Sequence, residues 1–138
     1  MNIIQCFYMD FVKTYLISLV VLFPIDLVWL SLTKKIYDNW LSPFERVLNI
    51  PAAILVYLFI PFGLVYLVIG KHLGETSNLK ILLEAFVYGV CSYSVYDLTN
   101  LATLKNWSIQ MVITDIIWGG VLCVMVTFFT LFIVKRFI

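Results

Sequence analysis

The sequence predicts an all-α integral membrane protein, a four-transmembrane-helix bundle with a short interfacial amphipathic helix after the first span. Three observations carry this. Of 138 residues, 63% are apolar and 12% charged, and the mean hydropathy is +1.03, far from soluble-protein averages. Four stretches reach the roughly 20 mostly apolar residues that cross a bilayer. Between the first two, apolar residues recur at helical spacing in a charged segment. A span satisfies its backbone internally, which here means helix, and the whole chain, 1–138, reads as one membrane domain.

Span one covers about 11–33. No basic residue precedes Lys13 and no small-residue cleavage site follows the apolar run, so it is expected to be a retained span rather than a signal peptide. Pro24 lies inside it, where a missing N–H bends a helix. Over about 36–49, Ile36, Tyr37, Trp40, Leu41, Phe44, Val47 and Leu48 trace a helical stripe suited to the membrane surface. Ser42 as N-cap, Pro43 at the first helical position and Glu45 at the third predict a helix beginning near Pro43. Span two covers about 51–70 and contains Pro61, span three about 79–100, and span four about 109–134.

Charge and cysteine exclude more than they assign. A net charge of +1 and no basic cluster exclude nucleic acid. Cys6, Cys91 and Cys123 lack metal-ligand spacing and read as packing residues; no cofactor is evident and no metal is assigned. Four spans place both termini on one side with Lys13, Lys71, Lys80, Lys135 and Arg136, against Lys34, Lys35, Arg46 and Lys105 on the other. The positive-inside rule favours cytoplasmic termini.

Three acids share a depth. Asp26 lies about 10 Å from the end of span one and Asp115 about 9 Å into span four from the same side, at 1.5 Å per residue, and Asp97 lies nearer that surface at the end of span three. Ser18, Asp26, Trp29 and Thr33 share one helical face; Tyr93, Tyr96, Asp97 and Asn100 lie on another with Ala85, Gly89 and Ser92; Thr114, Asp115 and Trp118 lie on a third. An aspartate facing lipid costs on the order of 2.5–3.5 kcal/mol near a helix centre, so all three are expected to face the bundle interior. No Lys, Arg or His matches their depth. The acids must then be protonated, hydrogen-bonded to Tyr, Trp, Asn or Thr, or paired with a loop base or an incoming cation. The repeated D-x-x-W places Trp29 and Trp118 one turn from a carboxylate. The small residues of span three also let a neighbouring helix approach closely.

The block YSVYDLTNLATLKNWSIQMVITDIIWG, with DLVWL in span one and PAAILVYLFIPFGLVY in span two, resembles the bacterial membrane-protein family called Domain of Unknown Function 2177 over nearly the whole chain. The resemblance implies a small four-span protein of the bacterial inner membrane. It marks Asp26, Trp29, Tyr93, Tyr96, Asp97, Leu98, Thr99, Asn100, Trp107, Asp115, Trp118 and Gly119, and supplies no reaction.

Three functions fit these residues. The first is binding or movement of a cation, a proton or an amphiphile head group at a layer of Asp26, Trp29, Tyr93, Tyr96, Asp97, Asn100, Asp115 and Trp118, since carboxylates without bases and aromatic walls suit an ammonium or an apolar tail. The second is a helper or assembly subunit whose layer is structural. The third is a lipid-modifying membrane enzyme with Asp97 and Asp115 as acid and base, disfavoured by the lack of a nucleophile triad, a histidine cluster or a phosphate loop. Expected partners are the lipid bilayer and a lipid, amphiphile or cation ligand, with a homo-oligomer allowed.

Overall fold

The computed structural model describes the backbone of residues 3–137 and the side chains of 9–137. Among these residues the chain forms four helices, α1 Ile3–Trp40, α2 Ile50–Leu67, α3 Leu79–Thr103 and α4 Ile109–Phe137, with a 3-10 turn Ile69–His72 extending α2. All four are long and apolar enough to cross a membrane. Their outward faces carry Leu16, Val20, Val28, Leu32, Phe59, Val87, Val95 and Phe132, a surface no water-soluble monomer leaves bare and one that lipid solvates.

The two ends of the bundle are fixed by cross-contacts. At the connector end, Phe44 of the α1–α2 connector packs edge-on to Trp107 of the α3–α4 turn, centroids 5.3 Å apart. At the opposite turn end, Lys135 of α4 donates to Thr76 of the α2–α3 turn at 2.7 Å, and His72 bonds to Glu84 at 3.0 Å. The connectors therefore segregate as the four-span threading requires.

The interfacial helix expected from Pro43 does not form. Instead α1 runs on past Lys34 and Lys35 to Trp40, Leu41–Phe44 form a turn, and Glu45–Asn49 carry no regular structure. Ser42 donates to the Asn39 carbonyl rather than capping a helix, and Asn49 is the cap that starts α2, accepting from Ala52 N–H at 3.1 Å, with Pro51 in the first turn. The reason is reach. Seven extra residues carry α1 about 10 Å beyond Thr33, and the chain must recover that height before α2 begins. Extended backbone covers roughly 3.3 Å per residue against about 1.5 Å for helix, so a helix here would leave the connector short. An exposed Arg46–Asp38 ion pair at 2.9 Å ties the descending strand to the last turn of α1.

The apolar core lies toward the turn end. It joins Leu22 of α1, Leu64 and Val65 of α2, Ile69, Ile81 and Ala85 of α3, and Leu122, Cys123, Val126 and Leu131 of α4. At its top α3 and α4 touch backbone to backbone: a Cβ at Gly89 would collide with the Gly119 carbonyl, and one at Gly120 with the Phe86 ring. This is the close approach that the small stripe Ala85–Gly89 permits. Around Pro61, α2 is buttressed by tyrosines from both sides, Tyr15 of α1 donating to the Leu58 carbonyl at 3.0 Å and Tyr88 of α3 to the Ile60 carbonyl at 2.9 Å. Cys123 packs in the core, Cys91 faces outward against the packing expectation, and the Cys6 side chain lies outside the described residues.

Candidate functional site

Toward the connector end α1, α3 and α4 carry the acids. Side chains tilt toward the N-terminus of their own helix. On α1, which climbs toward the connector end, they lean down; on α2 and α4, which descend, they lean up. Side chains on neighbouring antiparallel helices therefore meet head-on. Asp26 of α1 accepts from the Tyr57 hydroxyl of α2 at 2.6 Å through Oδ2 and from the Trp118 indole N–H of α4 at 3.1 Å through Oδ1. Asp115 of α4 accepts from the Tyr37 hydroxyl, which hangs down from the overhanging end of α1. Trp29 lies flat on Trp118, centroids 4.2 Å apart and planes 6° from parallel. The D-x-x-W motifs thus work across helices: Trp118 serves the acid of the other motif rather than its own.

All of these groups except Tyr57 line one cavity of about 640 Å³. Asp26, Asp115, Tyr93, Tyr96, Trp29 and Trp118 stand on its wall, joined by Tyr37, Trp107 and the apolar α2 face of Leu55, Val56, Phe59 and Ile60. Its wall is weakest between α2 and α3. Those helices are pinned together near Ile60, Gly63 and Tyr88, whereas above that level Phe59 is 65% and Tyr96 60% exposed. The cavity is mostly apolar, with two carboxylates and no Lys, Arg or His on its wall. Such a space favours a ligand with a cationic or hydrogen-bond-donating end and an apolar remainder.

Asp97 behaves differently. It is 0% exposed, and neither carboxylate oxygen has a hydrogen-bond partner. Counting from the Gly89–Gly119 contact at about 1.5 Å per residue, Asp97 stands about 12 Å and Asp115 about 6 Å toward the connector end, so Asp97 sits roughly one turn above Asp115. Tyr96 and Asn100, which share its helical face, do not bond to it, and neither Asp97 nor Asn100 lies on the cavity wall. Trp107 roofs this level, its ring edge-on to Tyr96 at 6.2 Å and its indole N–H also without a partner. Asn106, at φ 68, supplies the left-handed residue that turns the chain into Trp107.

Of the eight residues nominated for the layer, six share the cavity, Asp97 is enclosed beside it, and Asn100 bonds through its backbone carbonyl to Leu104 N–H at the end of α3. Sequence reasoning missed Tyr57 as a partner and placed Tyr37 in a surface helix. A donor inventory contained the signal for Tyr57: it is the one hydroxyl in the connector-end half of α2. Among the described residues no cluster of three or more His, Cys, Asp or Glu is arranged to hold a metal ion.

Comparison with known families returns a match to one whose description reads predicted membrane protein (DUF2177), over residues 11–132. No curated protein and no solved structure matches the chain.

Proposed function

The chain belongs to the DUF2177 family of predicted membrane proteins, a description that carries no reaction, and from that premise we propose that it binds the cationic head group of an amphiphile in the connector-end cavity. The observation that carries this reading is the pair Asp26 and Asp115, held by Tyr57, Trp118 and Tyr37 within an apolar wall that contributes no base. The head group lies between the two acids against the Trp29–Trp118 stack, and the tail leaves between α2 and α3 toward lipid. In this reading the protein sits in a bacterial inner membrane with its termini cytoplasmic, and the cavity opens toward the other face. An acid–base pairing of Asp97 with Asp115 on a lipid substrate is less well supported, because Asp97 is off the cavity wall.

The test is thermal stability of the purified protein with dodecyltrimethylammonium, with dodecanol as the uncharged control. A ligand that binds only the folded state adds about 2.7 kcal/mol at roughly 100 times Kd. Stabilisation by the ammonium, absent with dodecanol and lost in Asp26→Asn and Asp115→Asn, is expected; equal effects of the two probes would refute the charge-based reading. Cysteines introduced at Ser42 and Lys71, with the native ones replaced, are expected to label from opposite sides, Lys71 from the cytoplasm.

A further inference from the structure

We infer that Asp97 is a proton-binding site separate from the ligand contacts, and that occupancy of the cavity by a cation is linked to release of its proton. This rests on the cavity reading above and adds a coupling to it. Three features of the side chain lead here. It is fully enclosed and both oxygens are unpartnered, so a bare carboxylate there would give up its hydration with no donor bond already in place to offset the loss. Asp26 and Asp115 differ in this respect, since donors from Tyr57, Trp118 and Tyr37 meet their oxygens. The titratable groups facing Asp97 are Asp115 on α4, Tyr37 on α1 and Tyr96 on its own helix, with no base among them. Without a positive charge nearby Asp97 therefore stands as the neutral acid.

A cation between Asp26 and Asp115 changes that balance. Asp115 is about one turn below Asp97, so positive charge at the head-group position lies on the order of 10 Å from it, a range over which charges still interact in a medium that screens poorly. The O–H bond of the Asp97 carboxylic acid breaks, the proton passes to water, and the electron pair stays on the carboxylate, whose charge the bound ammonium offsets. The indole N–H of Trp107, whose ring packs edge-on to neighbouring Tyr96, is buried without a partner and is a donor open to the new anion. Proton release and cation entry thus become two sides of one equilibrium, and linkage is reciprocal.

The experiment measures the affinity of the purified protein for dodecyltrimethylammonium from mildly acidic to mildly alkaline buffer, together with protons released on binding in weakly buffered solution. Wild type is expected to bind more tightly as pH rises, approaching about tenfold per pH unit at full linkage, and to release protons. Asp97→Asn is expected to bind with a flattened profile and reduced release. Should that variant fail to fold, Asp97→Leu, which suits an enclosed apolar position, takes its place. A wild-type profile that is flat, or a variant profile as steep as wild type, overturns the coupling while leaving the cavity reading intact. Absence of binding at every pH overturns both.

Discussion

The two halves of this bundle are built from the same four helices on opposite rules. Toward the turn end, α3 and α4 touch through glycine backbones and the space is filled by Leu, Val and Ile. Toward the connector end, the same helices are held apart by tyrosine and tryptophan rings around two carboxylates, and a cavity of about 640 Å³ remains. One half is a solid that fixes distances; the other uses those distances to hold polar groups open. In a membrane, where lipid tails are as apolar as leucine, close packing and interhelical hydrogen bonds rather than hydrophobic burial hold helices together. Each half relies on one of the two.

Breaking the solid half is expected to have the largest effect. Gly89→Val drives a branched side chain into the Gly119 carbonyl, and overpacking at backbone contact costs about 3 kcal/mol or more; the purified variant is expected to melt far below wild type or fail to fold. A wild-type melting curve would show that the two halves do not differ in rigidity as described. The open half responds less. Asp26→Ala strands the Tyr57 hydroxyl and the Trp118 N–H, each unsatisfied donor costing about 1–3 kcal/mol, whereas Tyr57→Phe removes one bond and is expected to cost about 1–2 kcal/mol. Thermal denaturation of the two variants side by side checks the order, and reversal of it would mean that Asp26 is not the hub. The connector itself matters least: Arg46→Ala removes an exposed ion pair with Asp38 and is expected to change stability by less than about 1 kcal/mol, with no effect on ammonium binding.

The sequence revealed the parts of this fold that depend on local chemistry. Apolar length marked the four spans, and the cost of an acid in lipid placed Asp26 and Asp115 inward. What it did not reveal depends on which helices lie side by side. Ile36, Tyr37 and Trp40 have helical spacing whether α1 continues or a second helix begins. The decision was made by the absence of a breaker between Thr33 and Trp40, since Lys34 and Lys35 are good helix formers, and the cap signal at Ser42 outweighed it in the sequence reading. The Tyr37–Asp115 and Tyr57–Asp26 bonds span 78 and 31 positions, beyond any local periodicity. Tyr96 and Asn100 share a helical face with Asp97, yet Asp97 is enclosed with both oxygens unpartnered, which no pattern along one helix reveals.

The pairing of acids with tyrosines also bears on how such a chain enters a bilayer. Helices leave the ribosome in order, and an acid in a span costs free energy until it finds a donor. Asp26 is met by Tyr57 on the very next helix, so the first hairpin carries its own remedy before the second half of the protein exists. Asp115 arrives in the last helix and is met by Tyr37, already waiting at the end of the first. Each of these burdens is relieved by a helix made earlier or immediately afterwards. Asp97 has no such companion, and it enters the membrane as a side chain that must bring its own proton.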